Sequence, residues 1–193
     1  HTPHSAHLRH SLDGILPFVM IHHTCTLGGL GALAWGVGST EAEHALATST
    51  LRVTRPETMR VLYNGTLAAD VTAKDLILFT IRELSAGGGA GYAIEFAGPA
   101  VESLSVEARL TLCNMVTELS AFTGIIAPDQ KVMEYCSGRP YAPEDALWDE
   151  ASRYWQSLRS EAAAVFDCER IIDISLLQPQ LSWGTSPQHC VDW

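Results

Sequence analysis

Between Gly28 and Leu51 the residues are small and apolar, and polar Glu41, Glu43 and His44 mark a helical second half. Thr40 and Glu43 have the spacing of a capping box at its start. Leu51 to Leu67 predicts two short strands. Met59 to Tyr63 alternates, Asn64-Gly65 is a hairpin signal, and Thr66-Leu67 begins the return. Thr72 predicts the cap of a helix with Asp75 in its first turn, followed by Leu76, Ile77, Leu78, Phe79 and Ile81. Gly87 to Gly91 stops that helix, and Tyr92 to Phe96 forms a short strand ended by Gly98-Pro99. Ser105 opens a buried helix of about 17 residues that carries Ala108, Leu110, Leu112, Met115, Val116 and Leu119. Gly124 to Ala127 predicts a strand, Gln130 to Cys136 a short helix, and Gly138 to Pro143 a loop. Leu147 to Leu158 is an amphipathic helix with Trp148 and Trp155 on one face, and Phe166 to Asp173 a strand. From Gln178 onward Pro179, Gly184 and Pro187 mark an irregular tail. Alternating helices and strands predict an α/β layered domain.

Composition narrows the functional classes. The 193 residues suffice for one domain with a core, or for two small units. Net charge is −10, which argues against a nucleic-acid partner because no basic face is readily assembled. A few buried arginines would still serve an anionic substrate. No stretch approaches the roughly 20 apolar residues of a membrane span, and the His- and Ser-rich start lacks an apolar signal core. Cys25, Cys113, Cys136, Cys168 and Cys190 are widely spaced with no CxxC, which predicts reduced thiols rather than a disulfide or metal framework. A cytoplasmic location is expected.

Three features carry candidate chemistry. Gly87 to Gly91 follows a helix and precedes a strand, the reverse of a phosphate loop, so it reads as a turn. Asn114 and Glu118 lie four apart on the predicted buried helix and share a face, and a buried Glu requires a partner. His23 stands at the head of the run Thr24-Cys25-Thr26-Leu27-Gly28-Gly29, whose glycines let backbones approach closely.

The run from Thr24 to His44 resembles the segment that follows an Asp-Ser-His-Thr motif in the aconitase family. It is most similar to the large-subunit branch typified by 3-isopropylmalate dehydratases. The likeness continues in order through Glu41–Thr48, Asn64-Gly65, Thr72–Asp75, Gly91–Gly98, Leu112-Cys113-Asn114-Met115 with Glu118, Gly138–Tyr141 and Trp183–Pro187. It implies three-layer α/β/α aconitase-type domains, here incomplete. Residues 23–51 would end a first domain, 52–177 would form most of a second, and 178–193 would lead toward a third. It also implies a hydro-lyase of leucine biosynthesis that moves a hydroxyl between adjacent carbons of a small hydroxy dicarboxylate. A 4Fe-4S cluster and a small-subunit partner in a heterodimer complete that enzyme. By resemblance Asn114 hydrogen-bonds around the cluster, Glu118 handles a proton on iron-bound water, and His23 belongs to the same site.

The resemblance has a boundary. Ile21 and His22 stand where the family carries Asp and Ser. Back-translated and read one base out of register, Leu12 to His22 is compatible with Cys-x-Asp-Ser running into His23-Thr24. Residues 1–22 are therefore read as a non-family, frameshifted segment. None of the five cysteines matches the family's cluster ligands. The chain is expected to be an internal fragment that binds no cluster and is inactive alone. A homoaconitase or methylmalate-type dehydratase, and a non-catalytic remnant or scaffold, remain the alternatives.

Overall fold

The computed structural model describes residues 23–161 and 163–193. Four strands form a parallel sheet in the order β3-β2-β1-β4: β1 (Glu57–Asn64), β2 (Tyr92–Ala97), β3 (Thr123–Ile125) and β4 (Cys168–Asp173). Alternation along β1 and β2 gives the sheet two unlike faces. Met59, Val61, Tyr63, Ile94 and Phe96 point into the core, each at most 2% exposed. Helices α2 (Ala73–Leu84) and α4 (Val106–Asn114) pack there through Leu76, Ile77, Ile81, Leu112 and Cys113. Polar groups in this core are paired. Thr80 donates to the Leu76 carbonyl at 2.8 Å, so its oxygen accepts from the Tyr63 hydroxyl at 2.7 Å.

Among the described residues the opposite face is only half covered. Arg60 lies in register between Glu95 and Glu169 and pairs with Glu169. Helix α6 (Asp145–Ser157) buries none of its residues. The chain after it crosses this face: Ser160 donates to Glu95, and Arg60 stacks 4.7 Å over the Phe166 ring. Parallel strands joined by helices confirm the α/β class.

Four local expectations are corrected. Asn64-Gly65 is not a hairpin. It ends a central strand flanked on both sides by parallel neighbours, and Gly65 (φ +100°) fits against Ser175 where a Cβ would come within 2.7 Å of Oγ. The helix expected from Ser105 is shorter. Ser105 caps α4 as predicted, but the α-helix stops at Asn114 and tightens into a 3-10 helix over Met115–Leu119. The first surface helix, α1, spans Ser39–Thr48, so its box sits two residues early: Glu41 accepts from the Gly38 N–H at 2.7 Å. The tail is not irregular throughout. Strands β5 (Gln180–Ser182) and β6 (Cys190–Asp192) form an antiparallel hairpin docked on α2, where Asp75 accepts from the Gln180 N–H and Arg82 pairs with Asp192. The remaining helices are α3 (Pro99–Ser103) and α5 (Gln130–Cys136). Thr72 caps α2 as its sequence indicates, with a reciprocal Asp75 contact. The readings of residues 1–22 lie outside the described residues.

Candidate active site

A 3-10 helix over Thr24–Leu30 brings His23 to the end of α4. It lies tight against α4 and β3 because two of its residues have no side chain. A Cβ on Gly28 would sit 1.8 Å from the Gly124 carbonyl oxygen, and one on Gly29 would sit 2.7 Å from the Leu110 nitrogen. In this seat the Gly28 carbonyl accepts from the Ile126 N–H at 2.9 Å, extending β3. Cys25 is buried beneath the segment, and Trp35 stacks on Phe122 with ring centroids 5.1 Å apart.

Above this packing, three side chains meet. His23 Nδ1 lies 2.8 Å from Asn114 Oδ1, across 91 residues of sequence. Thr26 donates its hydroxyl to the same oxygen at 2.9 Å. With Oδ1 as acceptor, His23 carries its proton on Nδ1 when neutral, which leaves the Nε2 lone pair free. His23 is exposed and Asn114 and Thr26 are half-buried.

Glu118 is placed differently from its sequence reading. The switch to 3-10 geometry after Asn114 gives three residues per turn, so positions four apart no longer share a face. Glu118 is exposed, and its carboxylate makes no hydrogen bond or ion pair among the described residues.

An iron–sulfur cluster would need thiolate donors that converge. All five are free thiols. Burial pushes the Cys25 and Cys113 thiols up, and each thiol's neighbourhood therefore favours the protonated form that binds metal poorly. Among the described residues no three His, Cys, Asp or Glu side chains converge as a metal site. The described residues therefore do not fit as the cluster's ligands.

Sequence reasoning missed two groups. Thr26 follows His23 by one 3-10 turn, and that period, hidden in a glycine-rich run, was the available signal. Arg109 is the lone cation of α4. Its guanidinium is buried and donates to Asp129 at 2.6 Å and to the Glu102 carbonyl at 3.1 Å.

A parallel α/β layer with a His–Thr–Asn corner at converging helix ends defines the class of the domain. Residues 22–193 match the aconitase family (aconitate hydratase), and the chain belongs to that family. Among curated relatives it is similar to 3-isopropylmalate dehydratase large subunit 1 of Bradyrhizobium diazoefficiens, with 51% identity over 179 residues. That match covers 93% of this chain and 38% of the relative, so the chain spans well under half of the relative's length.

Proposed function

We propose that this chain supplies one polar corner of the active site of a 3-isopropylmalate dehydratase large subunit, a hydro-lyase acting between 2- and 3-isopropylmalate. The observation that carries the reading is the 2.8 Å contact of His23 Nδ1 with Asn114 Oδ1, made inside a chain half-identical to such a subunit. The Asn114 amide oxygen holds the imidazole by Nδ1, and Nε2 faces outward as a proton acceptor. Glu118 is exposed on the 3-10 turn beyond Asn114, and a role for it in proton transfer rests on the family resemblance alone.

When bound, a 4Fe-4S cluster supplies Lewis-acid chemistry at substrate hydroxyl and carboxylate. The described residues give it no ligand set, so this chain's share is polar side chains. A small subunit would complete the site around a hydroxy dicarboxylate. On this reading a junction between two family units would lie near Leu51, in the stretch without helix or strand that precedes β1. The Thr24–Leu30 segment packs on α4 and β3, and this packing brings His23 to Asn114.

A chimera tests the reading. Residues 23–193 replace the matching stretch of the Bradyrhizobium large subunit, and hydration of isopropylmaleate is measured with a small subunit present. The expected result is an active chimera that loses about 100-fold or more in kcat on His23→Ala or Asn114→Ala. The 193-residue chain by itself, reconstituted anaerobically with iron and sulfide, is expected to gain no cluster absorbance and no turnover. A folded but inactive chimera, or full activity in His23→Ala, overturns the proposal.

A further inference from the structure

Asn114 Oδ1 accepts two hydrogen bonds at once, from Thr26 Oγ1 at 2.9 Å and from His23 Nδ1 at 2.8 Å. An amide has an acceptor end and a donor end, and turning it over exchanges them. Turned over, the Asn114 NH2 would face the imidazole and demand the Nε2–H tautomer, with Nδ1 as acceptor. Thr26 opposes that state. Among the described residues its hydroxyl proton goes to Asn114 Oδ1 alone, so a turned amide would leave that half-buried donor without its protein acceptor. Thr26 is itself held in place. It lies in the 3-10 turn whose Gly28 and Gly29 are clamped against Gly124 and Leu110.

We infer that Thr26 is a positioning residue that sets the tautomer of His23. By donating to Asn114 Oδ1 it fixes the orientation of the amide, which holds His23 as the Nδ1–H form and keeps the Nε2 lone pair exposed. This deepens the reading of His23 and Asn114 as an active-site corner and rests on it for its functional meaning. The tautomer itself is measured without any activity.

The experiment is 15N NMR of the imidazole nitrogens in the 193-residue chain, followed upward in pH until the His23 signals no longer move. The His23 signals are assigned by their loss in His23→Gln. Parent protein is expected to show a protonated Nδ1 and an unprotonated Nε2. Thr26→Val keeps the shape of the side chain and removes the hydroxyl, so the Nδ1–H form is expected to fall to a minor share. Thr26→Ser is expected to restore it. In Thr26→Val/Asn114→Asp both ends of residue 114 are acceptors, so the Nδ1–H form returns without the hydroxyl. Far-UV dichroism and melting temperature show that each variant is folded, and Thr26→Ala stands in if the valine variant is not. Persistence of the Nδ1–H form in Thr26→Val, failure of Thr26→Ser to restore it, or failure of the double variant overturns the inference. If the tautomer responds as expected while His23→Ala in the active chimera costs nothing, the functional reading fails and the positioning role stands.

Discussion

Two glycines of this chain, alike in sequence, differ in what they permit. Gly28 lies where a Cβ would come 1.8 Å from a backbone oxygen, and neither partner can move without breaking β3. Gly28→Ala is expected to destabilise the fold by about 3 kcal/mol, at the upper end of overpacking costs, or to prevent folding. Gly87 has open space around its Cβ position and no left-handed backbone. Gly87→Ala is expected to stay within about 0.5 kcal/mol of the parent. Urea melts of the two variants check both statements, and equal effects would show that the close approach has been misjudged. The density of glycines after Thr24 was legible as a signal for close backbone contact. Which backbone they approach was not, because Gly124 and Leu110 come from elements far along the chain. The same applies to Asn114. Its side-chain chemistry was readable, whereas its pairing with His23 depends on tertiary structure.

At the level of elements, one buried arginine ties three helices together. Arg109 on α4 donates to the Glu102 carbonyl in α3 and pairs with Asp129, which caps α5 by accepting from the Val132 N–H at 3.2 Å. Lys131 adds its ammonium to the last carbonyls of α3, at 2.7 Å from Glu102 O and 2.9 Å from Ser103 O. Burial opposes ionisation of Asp129, but the Arg109 guanidinium and the N–H groups of Val132 and Lys131 outweigh it and hold its pKa low. Asp129→Asn keeps the cap, since Asn caps well, and removes only the charge partner. A buried guanidinium left uncompensated is expected to cost about 3 kcal/mol near pH 7. Because the folded pKa is depressed, the carboxylate's contribution is present above the unfolded value of about 3.9 and is lost as pH falls through the folded one. The gap between parent and variant should therefore narrow progressively as pH falls below the unfolded value of about 3.9. Urea melts of both proteins at pH 7 and pH 3 read this directly, and a pH-independent gap would assign the cost to shape rather than charge. Local chemistry made some elements legible and others not. Thr72 with Asp75 and Ser105 with Ala108 satisfy their own helix ends, so neighbouring residues were enough to find them. Asn64-Gly65 misled because turn chemistry cannot tell a hairpin from the exit of a central parallel strand. The break after Asn114 and the tail hairpin were hidden because they pack against α2 and the Thr24–Leu30 segment, which are distant from them in sequence.

At the scale of the whole molecule, carboxylates fasten segments at the margin of the apolar core, each of which sends only a few side chains into it. Asp167 accepts from both the N–H and the hydroxyl of Thr58, which pins the entry of β4 to the start of β1. Asp173 holds the turn at Ser175 beside Gly65. Asp75 and Asp192 fasten the β5–β6 hairpin to α2. With Asp129, five aspartates have folded pKa values below their ordinary range. For Asp75 burial works the other way, and its bonds from Thr72 and the Gln180 N–H outweigh it. The unfolded chain binds protons at these sites at higher pH than the folded one does. Stability is therefore expected to hold above about pH 5 and to fall steeply from about pH 4 downward. The net charge of −10 acts in the opposite sense near neutrality, because acidification first relieves self-repulsion. A stability maximum at mildly acidic pH follows, rather than a monotonic rise with pH. Hydrogen exchange separates the segments within that transition. Asp75→Asn weakens the Gln180 contact while leaving the parallel sheet intact, so protection at Gln180–Ser182 is expected to drop about tenfold at neutral pH, the equivalent of about 1.4 kcal/mol. Protection in β1 and β2, whose bonds run between strands, should be unchanged. Equal loss of protection in sheet and hairpin would mean that the two open as one unit and that the carboxylate clasps carry no separate share of the stability.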